Sequence, residues 1–87
     1  MEAKQIRAAI GAIGRQIGDV ETSIEEVRRS MLQYDVGSPT FAYELDALLQ
    51  YETRAGALIR TREAFEEKLR RAIDAEKLVE DVNSRIG

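Results

Sequence analysis

Read from residue 3 in alternating steps of three and four, the chain gives Ala3, Ile6, Ile10, Ile13, Ile17, Val20, Ile24, Val27, Met31 and Tyr34, and every position is apolar. Steps that average 3.5 residues belong to a narrow coiled-coil seam rather than to the wide stripe of a helix sunk in a large core. The pattern predicts a first helix over about residues 2–35. The seam is rich in β-branched residues at both of its repeating positions. In parallel coiled coils isoleucine at both positions favours three or more strands, which suggests that each Ile meets more than one neighbouring helix. Glu25 and Arg29 add a favourable spacing of four on the outer face.

Gly37, Ser38 and Pro39 make the one clear break. Gly37 suits a left-handed helix stop, Ser38 an N-cap and Pro39 a first helical position. A second helix is expected over about 39–85, antiparallel to the first because the connection is short. Its seam is less regular. Phe41, Leu45, Leu48, Glu52, Ala55 and Ile59 follow one register, whereas Leu58, Arg62, Phe65, Leu69, Ala72, Glu76, Val79, Asn83 and Ile86 follow another. A three-residue step joins them at Gly56 and predicts a change of facing there, by a bend or a short interruption. Glu66–Arg70, Glu67–Arg71 and Asp81–Arg85 have the spacing of supporting pairs.

Folding at the turn pairs residues whose numbers sum to about 75, so Ile17 meets Leu58 and Ile10 meets Phe65. Residues 73–87 then have nothing of their own chain to pack on, although Ile73, Leu78, Val79, Val82 and Ile86 are apolar. The fold class read from this pattern is all-α: one antiparallel two-helix coiled-coil hairpin spanning residues 1–87 as a single domain, assembled into a dimeric four-helix bundle or a higher oligomer. Its interface candidates are Ile6, Ile10, Ile13, Ile17 and the segment Leu78, Val79, Val82, Ile86. Gly11, Gly14 and Gly18 join them, because they line one face beside the seam. Each glycine costs about 1 kcal/mol against alanine inside a helix, so something is expected to approach closely there. A bulky side chain of the second helix, Phe65 or Arg62, is the first reading, and a partner helix or ligand on bare backbone the second.

Composition narrows the function classes. The 87 residues contain no Cys, no His and no Trp. Disulfides and thiolate sites are excluded, as are the usual general base and the usual transition-metal ligand. Ser23, Ser30, Ser38 and Ser84 lack a His partner, and the glycines lie within a helical pattern instead of a phosphate-binding loop. Glu52 and Glu76 fall on the seam, where pairing with Arg62 or with a second subunit is expected ahead of a catalytic carboxylate pair. No enzyme, cofactor or metal is expected. A net charge of −3 gives no general reason to expect nucleic acid or an anionic membrane, no apolar run is long enough to cross a bilayer, and a cytoplasmic setting is the default.

Charge is uneven along the chain. Residues 37–53 carry acids and no base, whereas residues 54–71 carry six basic and three acidic residues. Arg54, Arg60 and Arg62 with Tyr43 and Tyr51 therefore form the candidate set for binding a protein partner or an anion. Tyr and Arg are favoured interface anchors, and the same types stack on and neutralise a nucleotide. Ile24 to Arg28, a turn, and then the run Glu44 to Tyr51 resemble the helical hairpin of sporulation-type phosphatase regulators, and the run Leu45-Asp46, Leu48-Leu49, Arg54 resembles the helical chorismate mutases. Ala42 stands where the first family has its signature serine, and the spacing from Leu49 to Arg54 departs from the second, so neither resemblance assigns a family.

The expected function is a non-enzymatic, homo-oligomeric interaction module: an adaptor, chaperone or inhibitor of the kind found among phage proteins and secretion accessories. The alternative is a protein that sequesters an anionic small molecule, such as a nucleotide, between subunits.

Overall fold

The computed structural model describes residues 2–86, with side chains described through residue 85. Two helices, α1 (Ala3–Met31) and α2 (Pro39–Ile86), form an extended hairpin. At 1.5 Å per residue they should measure about 43 and 72 Å. The long dimension is 73 Å and the cross-section 16 × 14 Å. One straight helix therefore sets the length of the molecule, and a shorter helix lies along part of it.

The start of α1 is held by Gln5, whose Oε1 accepts from the backbone N–H of Glu2 at 3.1 Å. Its end differs from the expected residue 35. After Met31 the chain tightens into two turns, with Gln33 N–H donating to Ser30 O and Tyr34 N–H to Met31 O. No glycine among the described residues has positive φ, so the left-handed stop expected at Gly37 does not form. The physical reason is the connection itself. Helix axes in contact lie 8–10 Å apart, and residues 32–38 bridge that gap instead of extending the seam. Leu32 and Val36 are left exposed. The start of α2 follows expectation: Ser38 Oγ accepts from Phe41 N–H at 3.1 Å, directly before Pro39.

Helix α2 runs through Gly56 without interruption, and its length leaves no room for a sharp bend. A single glycine weakens a helix but removes no hydrogen bond from it, whereas sharp kinks need proline, a bulge or an inserted group. Leu48 and Ala55 are buried, with Leu58 packed against them, and Ile59 is half-buried. Both registers thus reach the interface on one continuous helix.

The core is thin. Ile6, Ile17, Val20 and Ile24 of α1 and Leu48 and Ala55 of α2 are the buried apolar residues among those described. Val20, Ile24, Leu48 and Ala55 form one cluster, with Val27, Met31 and Leu58 against it. Ile10 and Ile13 are only half-buried, because a single neighbouring helix covers less than the seam's full width. Total exposure is 6701 Å², whereas a compact folded monomer of 9.8 kDa exposes about 5,200 Å².

Ion pairs trim the outer faces. Glu67 and Arg71 pair as expected, as do Asp81 and Arg85. Arg70 turns to Glu67 and Asp74, Glu66 pairs with Arg62, and Glu25 and Arg29 form no ion pair among the described residues. No helix among those residues is long and apolar enough to cross a membrane.

Candidate interaction surfaces

Three surfaces collect the residues singled out by the sequence. The first is the overhang of α2. Helix α1 begins at Ala3, and Ala72 and Ile73 are the last half-buried residues along α2. Beyond Ile73, every residue through Arg85 is exposed, including Leu78 at 65%, Val79 at 58% and Val82 at 45%. The backbone of Ile86 closes α2, but its side chain lies outside the described residues. Ala72, Ala75, Val79, Val82 and Ile86 are spaced 3, 4, 3 and 4, which is a coiled-coil seam in its own right. At about 100° per residue, this stripe is turned roughly a quarter turn from the face that packs on α1. A register change is therefore present, but it lies beyond the hairpin body and requires no bend.

The second surface is the glycine flank. Arg28 of α1 reaches across to Glu52 of α2 at 3.0 Å, so Glu52 is satisfied within the chain by Arg28 and not by Arg62. Beside this bridge an open groove of about 500 Å³ is lined by Gly18, Glu21, Thr22, Ile24, Glu25, Arg28 and Ala55. The expectation that a bulky side chain of α2 fills the glycine stripe is not met. A β-carbon added to Gly14 or Gly18 would meet nothing within 4 Å, and one on Gly11 would meet only Arg15 of its own helix, at 3.8 Å. Phe65 is half-buried but engaged elsewhere, with Lys68 Nζ 5.5 Å from its ring centre. Gly11, Gly14 and Gly18 each follow a seam isoleucine by one residue, so they sit to one side of the strip that α2 covers.

The third surface is the tyrosine and arginine set. Helical spacing keeps Tyr43, Tyr51 and Arg54 on one exposed side of α2. Arg60 lies elsewhere, with its guanidinium 3.4 Å from where a β-carbon on Gly56 would stand. Arg62 is half-buried on the seam, its Nε shut off from solvent and 3.4 Å from Glu66 Oε1, without the alignment of a hydrogen bond. The five residues do not converge within one chain. Half of the basic stretch is paired within α2: Arg62 with Glu66, and Arg70 and Arg71 with Glu67. Glu67 accepts from Arg70 Nε at 3.1 Å and from Arg71 Nε at 3.2 Å, and these donors, Arg70 foremost, hold its carboxyl below the ordinary value despite some desolvation. Arg70 is raised in turn, chiefly by its hydrogen bonds to Glu67.

What the sequence did not reveal was the bridge from Arg28 to Glu52. Long side chains reach diagonally across an interface, and no i,i+4 spacing marks such a pair. No protein-family model matches the chain, and neither a curated protein nor a solved structure is significantly similar to it.

Proposed function

We propose that the chain is a self-associating helical interaction module, an adaptor, small chaperone or inhibitor and not an enzyme, which presents the end of α2 to another protein in the cytoplasm. The observation that carries this reading is the overhang: Val79 and Val82 sit at seam spacing, with Leu78 exposed beside them, on a stretch of helix that nothing from its own chain covers. An isolated helix of that length is marginal in water unless an apolar face is packed. The excess of exposed surface over a compact monomer supports self-association as well. It is about 1,500 Å² on one chain, more than the roughly 800 Å² that each partner buries in a standard protein–protein interface.

The anion-sequestering alternative draws less support, because the set is spread over about 28 Å of α2 from Tyr43 to Arg62, and Arg60 lies beside Gly56 on another side of the helix. A thermal-shift screen with nucleotides and inorganic phosphate separates the two. The interaction reading expects no shift. Stabilisation by several degrees that disappears in both Arg54→Ala and Arg62→Ala would replace it with sequestration.

A further inference from the structure

On the open flank of α1 the stripe of glycines is one part of a longer pattern. Lys4 and Arg7 precede the three glycines and Glu21 and Glu25 follow them, all seven in alternating steps of three and four. The stripe is basic at one end, bare in the middle and acidic at the other, and Gly14 is its centre. All four charged residues are exposed, and none has an ion partner among the described residues. Within the helix the arrangement is unfavourable. Lys4 with Arg7, and Glu21 with Glu25, are like charges at spacings of three and four, which repel by a few tenths of a kcal/mol.

Every one of these features is resolved by a second copy of α1 laid antiparallel on the first. With Gly14 against its twin, residues whose numbers sum to 28 or 29 come level. Arg7 then meets Glu21 of the partner, Lys4 meets Glu25, and Gly11 meets Gly18, each pair occurring twice by symmetry. A parallel arrangement would set Lys4 on Lys4 and Glu25 on Glu25. The bare backbone at the centre allows the two helices to approach closely. The 3.5-residue average of the stripe keeps it facing the neighbour along its length.

We propose that two copies of this chain pair antiparallel through the Lys4-to-Glu25 face of α1, centred on Gly14, with reciprocal ion pairs between Arg7 and Glu21 and between Lys4 and Glu25. This rests on the self-association proposed above and specifies its geometry. The glycine stripe lies one residue, about 100°, around α1 from the isoleucine seam, so each α1 packs on α2 through one face and on its twin through the next, as in a four-helix bundle. The two overhangs then project from opposite ends of one rod, each with its apolar stripe turned to the other flank and free to receive a partner.

Charge reversal tests the pairing in the full-length protein. Arg7→Glu and Glu21→Arg are both on exposed positions, and circular dichroism checks that each variant remains helical. Either variant alone places like charges opposite each other at two points, and its self-dissociation constant should rise at least about tenfold. An equimolar mixture of the two variants, and the double variant Arg7→Glu with Glu21→Arg, should each recover wild-type association in sedimentation equilibrium. Single variants that associate as tightly as wild type would overturn the antiparallel pairing while leaving self-association intact. So would weakened single variants that neither mixture nor double substitution restores. A wild-type protein that is monomeric at every concentration would instead remove the self-association itself.

Discussion

Ile6 is the most deeply buried residue described, at 2% exposure, and it lies within one turn of the start of α1. If the two helices are zipped to that end, truncating Ile6 should cost as much as truncating a central core residue. Replacing a buried Ile with Ala removes three carbons and leaves a cavity, at about 2–5 kcal/mol. The edge of a two-helix interface can collapse more easily than a full core, which places Ile6→Ala toward 2–3 kcal/mol. For a chain this short, each kcal/mol lowers the melting temperature by roughly 4–8 °C, so a fall of about 8–24 °C is expected. Leu32→Ala is the matched control, because Leu32 is 88% exposed in the turn, and changes at such positions stay within about 0.5 kcal/mol. Urea unfolding followed by helical circular dichroism, at one fixed protein concentration, measures both. Concentration must be fixed because self-association makes apparent stability depend on it. An Ile6→Ala variant within 0.5 kcal/mol of wild type would mean that the first turns of α1 are frayed and that the seam does not reach them.

Further outcomes follow from single contacts. Gly37→Ala should stabilise by about 0.4–1 kcal/mol in the same unfolding assay, since Gly37 lacks positive φ and nothing stands within 4 Å of an added β-carbon; destabilisation would restore the left-handed stop. Ser38→Ala should cost about 1 kcal/mol through loss of the cap to Phe41 N–H. Leu78→Asp with Val82→Asp should leave the urea midpoint of the hairpin unchanged but weaken binding of a hydrophobic fluorescent dye, whereas Leu32→Asp with Val36→Asp should weaken it less; the reverse order would place the main exposed apolar surface at the turn. Because the Glu67 carboxyl is held below its ordinary value, its pairing stabilises the fold above the unfolded carboxylate range. That contribution disappears as pH falls through the lowered value. Glu67→Gln should therefore flatten the acid limb of the stability profile, and an unchanged limb would count against the pairing with Arg70 and Arg71.

Much of this architecture is written in the spacing of apolar residues. The isoleucine run fixes α1 because its period is unambiguous over many turns, and Ser38-Pro39 fixes the start of α2 because the cap and the ring each act locally. The overhang follows from arithmetic: a short turn and unequal helices leave the excess at one end. Other features depend on distances that no local pattern encodes. Tyr34 continues the apolar pattern, yet the chain must leave the helix at Met31 to cross to α2. Gly56 weakens its helix locally, but the ladder of hydrogen bonds carries α2 through. The three glycines signalled a close neighbour without saying whose, and only the emptiness around Gly14 and Gly18 turns attention from α2 to a second molecule. Arg62 and Glu52 share a helix and a seam, yet Arg28 reaches Glu52 from across the interface and leaves Arg62 to Glu66.

The most direct test of the hairpin as one half of a larger bundle is its mass in solution. Multi-angle light scattering of the purified full-length chain should give a multiple of 9.8 kDa, twice that value for the antiparallel pair, falling toward the single-chain mass on dilution or at high salt as the exposed ion pairs are screened. A mass of 9.8 kDa that holds at every concentration and at low salt would contradict it, and the open glycine face of α1 would then have to be accounted for without a second copy.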